Sequence, residues 1–261
     1  MSARFQAASY FRKPTPAFLP DSLWDWLCRR FYTVDGTGAE QLVEPPGWLP
    51  YRAWRFLSKG CFSIDLYKHR TFQQAAPRDL QEVVAVAPES WLMFGTLLGC
   101  ARDGSIIPWD RDVDIGFPSE LMTDELLDRF RAAGFSVERV WRYELPSYRD
   151  YLPDAMGQVS KVVLRKGAKI ELYCFVRGRD GRLYYGQGRP QLFVIDHDLV
   201  FPQVKARFCG FEVNVPARTD ENLVYMYGKD WRTPKPRYIR STEHSARQKH
   251  FFIDLSGQQA S

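Results

Sequence analysis

In the middle of the chain, stretches whose apolar residues recur with the period of a helix alternate with stretches that have the apolar pattern of a strand. A helix is predicted from Pro77 to just before Pro88, and the apolar run 91–94 predicts a short buried strand that Gly95 ends. The residues from Thr96 to Arg102 have helical composition and begin directly at that strand end. The start of a helix, with its free backbone N–H groups, is therefore expected beside a strand end.

A second strand and a second helix follow. Charged and apolar residues alternate strictly from Asp112 to Phe117, which predicts a half-buried strand. Pro118 and Ser119 are expected to close this strand and to open a helix that continues to about Ala133, with Gly134 as its C-cap. The apolar face of this helix consists of Met122, Leu126, Leu127 and Phe130.

Three more strands are predicted at Ser136–Trp141, Val159–Leu164 and Ile170–Val176. The order strand, helix, strand, helix, strand, strand predicts an α/β (α+β) protein with a mixed sheet flanked by helices. Residues 1–75 are rich in proline and aromatic residues, and we interpret them as an N-terminal accessory segment that packs over the core.

Composition excludes several classes of protein. With 261 residues, of which 45% are hydrophobic and 15% aromatic, the chain is neither disordered nor fibrous and can form a core without disulfides. Its five cysteines contain no CxxC pair, which is typical of reduced thiols in a cytosolic protein. The first 18 residues lack the apolar run of a signal peptide, and no later stretch is long enough to span a membrane, so a cytoplasmic location is expected.

Charge is unevenly distributed. The chain has a formal net charge of +5, but residues 76–135 contain 11 acidic and 5 basic residues and carry −6. The segments before and after carry +4 and +7. An acidic middle between basic flanks indicates a site that holds cations in surroundings that attract anions.

Three aspartates lie in the acidic segment. In an extended strand Asp110, Asp112 and Asp114 would project to one side, about 7 Å apart, while Val113 and Ile115 would point into the core. Such like charges repel one another unless a cation compensates them, and oxygen ligands suit Mg²⁺ or Mn²⁺. A solvated acidic edge is the alternative. The preceding strand, glycine turn and helix start favour a metal site, because they would place phosphate-binding amides opposite the carboxylates.

This part of the chain resembles the LicD family, which includes bacterial phosphocholine transferases and the fukutin and fukutin-related proteins. The resemblance is carried by the segments 95–102 and 108–115, and it continues in Glu171 within the segment 169–172. Later segments look like the closing motifs of the family: 199–202, 208–216 and 227–231. Together the similar segments extend over about residues 77–236.

The resemblance implies a nucleotidyltransferase-type fold and the transfer of a substituted phosphate, often from a CDP-linked donor, to a hydroxyl of a glycan or glycolipid. The group carried would be phosphocholine, an alditol phosphate or a sugar phosphate. On this basis residues 76–180 form the expected catalytic core and residues 181–261 a C-terminal LicD-like extension. Peripheral contact with a membrane-bound machinery for assembling cell-surface glycans is a further expectation.

Roles can be assigned to the residues as a hypothesis. Asp112 and Asp114 hold the metal, and Glu171 completes the metal site or takes the proton of the acceptor hydroxyl. A second group of residues is expected to contact the substrates. Gly95, Thr96 and Arg102 would bind phosphate, and Asp110 would either bind the acceptor or support the metal ligands from behind. Lys161 would pair with phosphate or stay solvated, and Tyr227 and Trp231 would stack on a base or glycan ring or belong to a basic tail over the core.

Two other functions were compared with this one. A nucleotidyltransferase that adds a nucleotide monophosphate to a small molecule would share the same acidic strand and glycine turn. A nucleic-acid-binding module would explain the basic flanks, but the sequence contains no RNP, KH, zinc-finger or helix-turn-helix pattern, and the acidic segment would repel phosphate without a metal. We therefore expect no nucleic-acid partner.

Overall fold

The computed structural model of the protein describes residues 71–107, 110, 112–186, 188, 190–233 and 252–255, together with two strands, β1 (Tyr32–Val34) and β2 (Glu40–Leu42). β1 and β2 pair antiparallel. The rest of residues 1–70, in the predicted accessory segment, lies outside the described residues, as do Pro108, Trp109 and Arg111.

The first helix, α1, covers residues 71–86 and ends before Pro88 as predicted. It also extends to the N-terminal side of Pro77, where the sequence predicted its start. Its buried residues recur every three or four positions, at Phe72, Ala76, Leu80 and Val83, and are 0–6% exposed. This apolar face is already established before Pro77, so packing outweighs the one helical hydrogen bond that the proline cannot donate.

Among the described residues, ten strands form a mixed sheet, which confirms the predicted α/β class. The strand order is β10-β11-β3-β4-β7-β8-β9-β12, while β6 pairs with β7 and β5 pairs with β6. The β4–β7 and β11–β3 pairs are parallel and the others antiparallel. The strands are β3 (Trp91–Leu92), β4 (Val113–Pro118), β5 (Ser136–Arg142), β6 (Val159–Arg165), β7 (Lys169–Arg177), β8 (Leu183–Gly186), β9 (Gln191–Ile195), β10 (Gln203–Phe208), β11 (Phe211–Pro216) and β12 (Phe252–Asp254).

Two faces of the sheet are built differently. On one face Val113, Ile115 and Phe117 of β4 are 0–1% exposed and pack in the main core, as the alternating pattern predicted. On the opposite face an aromatic cluster surrounds Trp91 and Tyr173. Gly116 lies beneath the Trp91 ring, which occupies the space that a Cβ atom at this position would need.

The connection from β3 into the second helix differs from the prediction. β3 ends at Leu92 and α2 covers Phe94–Asp103, so Gly95 lies inside the helix instead of ending a strand. Phe94 adopts a φ of 45°, which turns the chain from strand to helix within two residues. The Phe94 ring meets the Tyr173 ring edge-on, with centroids 5.0 Å apart. Because of this turn, the start of α2 lies beside the carboxylate side of β4.

The third helix also begins later than predicted. Residues Ser119–Leu121 form a short 3-10 turn, and α3 covers Asp124–Ala132 after Thr123, whose hydroxyl accepts the Leu126 N–H at 3.3 Å. Gly134 follows the C-cap Ala133 with a φ of 87°. The three predicted strands from Ser136 onward are confirmed to within one residue at each end.

Beyond β7 the structure contains elements for which the sequence analysis gave no individual prediction: β8 to β12 and the helix α4 (Thr219–Tyr227). The predicted domain boundary after residue 180 falls in the turn between β7 and β8 of one sheet, and the boundary after residue 75 falls inside α1. The division into domains remains a prediction. No helix in the described part of the chain has the length and apolar composition needed to cross a membrane.

One buried carboxylate connects α1 to the sheet. Asp79 has no solvent exposure, and its Oδ2 accepts the N–H groups of Gly167 and Ala168, both at 2.7 Å. These two residues form the turn between β6 and β7. At Gly167 an added Cβ atom would lie 2.5 Å from the Cβ atom of Ala75 in α1, so the helix packs directly against this turn. Asp79 therefore fixes the turn from which β7 starts.

We expect Asp79→Ala to lower the free energy of unfolding by about 3 kcal/mol, because the buried N–H of Ala168 and the part-buried N–H of Gly167 lose a charged acceptor. Urea unfolding followed by circular dichroism would measure the loss. Glu89→Gln, at an exposed position on the chain after α1, serves as the control and should stay within about 0.5 kcal/mol of the unmodified protein. Equal stability of the two variants would contradict this role of Asp79.

Candidate metal and phosphate site

Three carboxylates meet on the aromatic side of the sheet. β4 and β7 are parallel, and their register places Asp114 directly opposite Glu171. Asp112 precedes Asp114 by two positions and lies on the same side. One carboxylate oxygen from each of Asp112, Asp114 and Glu171 lies within 4.8 Å of the others. The structure thus brings together the three residues that the sequence analysis assigned to the metal.

The chemistry of these groups fits a divalent cation. All three offer hard, anionic oxygen atoms, which are the ligands that Mg²⁺ and Mn²⁺ prefer. Glu171 is buried at 8% exposure, while Asp112 and Asp114 are partly exposed. An ion held by the three would therefore still be reached from solvent on the aspartate side.

Two lysines accompany the carboxylates. The Lys161 ammonium lies 2.5 Å from Glu171 Oε2 and 4.4 Å from the centre of the Tyr173 ring, and the residue is 6% exposed. Lys169 forms an ion pair with the other oxygen of Glu171, and its ammonium lies 3.3 Å from Asp112 Oδ2. Glu171 is thus held between two cations.

These charges shift the ionisation of the carboxyl groups in opposite directions. Burial alone would raise the pKa of Glu171, but Lys169 and Lys161 outweigh it and lower that pKa to about 2. Burial, reinforced by the charges of Asp112 and Glu171, raises the pKa of Asp114 well above its ordinary value. The cluster is therefore short of positive charge on its Asp114 side, where a cation would be stabilised most.

Tyr173 connects the two strands at the level of the carboxylates. Its hydroxyl lies 2.7 Å from Glu171 Oε2 and 3.1 Å from Asp114 Oδ1, and it has one proton to donate to either of them. Burial, followed by the charges of Asp114 and Glu171, raises the pKa of the Tyr173 phenol. The hydroxyl consequently stays protonated, contacts both carboxylates and donates its proton to one of them at a time.

The start of α2 holds Asp114 from the other side. The Thr96 hydroxyl accepts the Asp114 N–H at 2.8 Å, and the Met93 N–H donates to the Asp114 carbonyl at 3.1 Å. At Gly95 an added Cβ would lie 2.6 Å from Asp110 Oδ2, so only glycine lets the two approach this closely. The predicted phosphate-binding residues Gly95 and Thr96 therefore lie next to the carboxylates.

Asp110 lies outside β4, in the loop before it. Gln73 of α1 fixes this loop by donating to the carbonyl oxygens of Ile107 and Asp110 at 3.0 and 3.2 Å. Burial, reinforced by the charge of Asp112 and opposed by Arg102, raises the pKa of Asp110 to about 7. Asp110 thus borders the site without joining the three-carboxylate group.

The remaining predicted residues are placed at different distances from this group. The Arg102 side chain makes a two-bond ion pair with Asp103, at 2.7 and 2.9 Å. Tyr227 is partly buried and packs against the main core. Burial, and then the charges of Asp114 and Asp110, raises the pKa of its phenol. Trp231 is 3% exposed and packs in the main core, so its ring offers almost no surface on which a ligand could stack.

Two residues of the site were missed as functional residues, although the sequence carried a signal for both. Lys169 and Tyr173 lie two positions before and after Glu171 on β7, and alternate residues of a strand share one face. Strand period, applied to β7 as it was to β4, would have placed both side chains beside the carboxylates.

A cavity of about 530 Å³ lies at the edge strand β5, apart from the carboxylates. Lys161 lies between the two features, because its ammonium is 5.7 Å from the centre of the Trp141 ring, which lines the cavity. The other lining residues are Asp124, Leu127, Arg131, Val140, Arg142, Glu144, Leu145 and Gly188.

The mixed sheet and the three carboxylates define a protein with a candidate oxygen-donor cation site beside a helix start. Comparison with known proteins gives its family: residues 88–218 match the family model described as "LicD/FKTN/FKRP, nucleotidyltransferase domain". The chain belongs to this LicD family, which confirms the resemblance and the predicted type of fold. The matched range contains Asp112, Asp114 and Glu171.

Curated relatives are similar over about half of this chain. "Uncharacterized protein RP689" of Rickettsia prowazekii (strain Madrid E) is 30% identical over 139 residues, which are 52% of this chain and 46% of that protein. Human "Ribitol-5-phosphate transferase FKTN" is 26% identical over 147 residues, 55% of this chain and 29% of the relative. The chain thus spans less than half the length of either relative.

Among solved structures, the crystal structure of the lincosamide antibiotic adenylyltransferase LnuA with lincomycin bound is similar with a TM-score of 0.34 and 14% identity. The similarity covers 61% of this chain and 83% of that chain.

We expect Thr96→Val to lower the free energy of unfolding by about 1–3 kcal/mol, because the part-buried Asp114 N–H loses its acceptor while the side-chain volume is kept. Thr96→Ser is the matched control, since it retains the hydroxyl and should be affected less. Thermal and urea unfolding would compare the two. A valine variant as stable as the serine variant would show that this hydrogen bond does not hold β4.

Proposed function

We propose that this chain is a metal-dependent phosphotransferase that moves a substituted phosphate from a CDP-linked donor to a hydroxyl of a glycan or glycolipid. The observation that carries the proposal is the group formed by Asp112, Asp114 and Glu171 at the start of α2, inside the family-matched range. Among phosphocholine, alditol phosphate and sugar phosphate, the similarity to human "Ribitol-5-phosphate transferase FKTN" favours an alditol phosphate such as ribitol 5-phosphate.

The reaction exchanges one phosphorus–oxygen bond for another. The acceptor hydroxyl oxygen attacks the β-phosphorus of the donor, and the bond from that phosphorus to the bridging oxygen breaks. CMP leaves with the bridging oxygen, the hydroxyl proton passes to a base or to water, and the acceptor gains a phosphodiester. Such a transfer depends on positioning and on neutralising phosphate charge more than on covalent chemistry.

Asp112, Asp114 and Glu171 would hold Mg²⁺ or Mn²⁺. When bound, the ion neutralises charge that develops on the donor phosphates. Both oxygens of Glu171 are oriented by lysines, and Tyr173 contacts both Glu171 and Asp114, which supports a ligand role for Glu171.

The N-terminal turn of α2 would bind phosphate oxygens of the donor. The first amides of a helix have no carbonyl partner within the helix, and the positive end of the helix dipole favours an anion there. Gly95 and Thr96 supply such amides beside Asp114, and Gly95 has no side chain to keep a ligand away. Arg102 would add positive charge from the far end of α2.

The setting of the enzyme is also part of the proposal. The basic segments before and after the acidic one would attract the anionic donor, and contact with a membrane-bound machinery for glycan assembly would bring the acceptor. We propose a cytoplasmic location for the reaction, as expected from the cysteine pattern.

We expect Asp114→Asn to reduce transfer at least 100-fold, because the site loses an anionic ligand while the side chain keeps its size. Asp112→Asn should behave similarly. Asp128→Asn, on the exposed surface of α3, is the control and should keep full activity. Release of CMP from a CDP-linked donor, with acceptor present and Mg²⁺ varied, is the measurement. Full turnover by Asp114→Asn would refute the metal site.

A donor with distinguishable labels on its two halves separates the proposal from the alternative function. With tritium in the cytidine and ³²P at the β-position, we expect the ³²P to appear on the acceptor and the tritium in free CMP. Tritium on the acceptor would instead identify a nucleotidyltransferase, since attack would then have occurred at the α-phosphorus.

A further inference from the structure

We propose that in the metal-free protein the ammonium group of Lys169 neutralises part of the carboxylate charge that a divalent cation neutralises when bound. When the cation binds, the ammonium group leaves the carboxylates. This inference rests on the proposed function, because it concerns the same site. It assigns to Lys169 the role of a positioning residue that sets the affinity for metal.

Lys169 contacts two of the three carboxylates. Its ammonium pairs with Glu171 Oε1 and lies 3.3 Å from Asp112 Oδ2, so it bridges two of the three carboxylates that would hold the ion. A cation and this ammonium compete for the same oxygen atoms, since an oxygen turned toward one is turned away from the other.

The two lysines at Glu171 differ in how far they are exposed to solvent. Lys161 also pairs with Glu171, but it is 6% exposed and its ammonium lies between the rings of Tyr173 and Trp141, at 4.4 and 5.7 Å. The Lys169 side chain is 31% exposed and has a flexible four-carbon stem. Lys161 is therefore fixed, whereas Lys169 can turn toward solvent.

Charge gives the direction of the change. Without metal, the two lysines offset part of the repulsion among the three carboxylates, on the side of Glu171 and Asp112. With a divalent cation in the group, a further ammonium a few ångströms away is repelled by the ion, and it loses its partners to the ion. Lys169, whose side chain is partly exposed, then turns toward solvent.

Binding of Mn²⁺ alone tests this inference without a donor or an acceptor. The electron paramagnetic resonance signal of free Mn²⁺ reports the fraction bound, so a dissociation constant follows from a titration. We expect Lys169→Met to bind Mn²⁺ more tightly than the unmodified protein, on the order of tenfold, because a competing charge is removed from a partly solvated site.

Two further variants isolate the cause. Lys169→Arg keeps a competing cation and should stay near the unmodified affinity. Lys166→Met is the matched control: its side chain is 32% exposed and pairs with Glu82, away from the carboxylates. It should not alter Mn²⁺ binding. Circular dichroism and melting in EDTA would verify that each variant is folded.

The outcomes separate this inference from the proposed function. If the unmodified protein binds Mn²⁺ and Lys169→Met binds it equally or more weakly, Lys169 does not compete with metal and only the inference fails. If the folded protein and all variants fail to bind Mn²⁺ while transferring phosphate without metal, the metal part of the proposed function fails and this inference with it. Tightening in Lys169→Met but not in Lys169→Arg supports it.

Discussion

The parallel pairing of β4 with β7 is the constraint on which the site depends. Its register sets Asp114 opposite Glu171, and like charges directly opposite each other in a sheet are destabilising. The neighbouring residues reduce this repulsion: two lysines neutralise Glu171, and the Tyr173 hydroxyl contacts both carboxylates. The unfavourable pair persists because the rest of the fold fixes the register.

The opposite face of the same strands supplies that fixation. Val113, Ile115, Ile170 and Leu172 have no solvent exposure, so a slip of one residue would bury carboxylates in the core and expose these side chains. Asp79 adds a second restraint, because it binds the turn that precedes β7. Core packing, rather than attraction within the site, therefore determines where the functional groups lie.

The parts of the fold that could be predicted are those with a local period. Strict alternation from Asp112 to Phe117 indicated β4 and the faces of its residues, whereas the meeting of Asp114 with Glu171 requires a register between strands more than 50 residues apart in sequence. That information is not local, and only the family resemblance suggested it. Trp231 shows the reverse case: its aromatic and basic neighbours suggested a binding surface, but folding places it in the core at 3% exposure.

The lysines that neutralise Glu171 also affect whether the protein needs a bound metal in order to fold. Where carboxylates or thiolates have no other counter-charge, the metal is required for the folded state, and its binding free energy is spent on folding. Here Lys161 and Lys169 stabilise Glu171, and the pKa of Asp114 is raised, so the metal-free site carries less unbalanced charge than three aspartate and glutamate side chains suggest. We therefore expect the fold to form without a cation, so that in the proposed function the free energy of cation binding would remain available for orienting and neutralising phosphate.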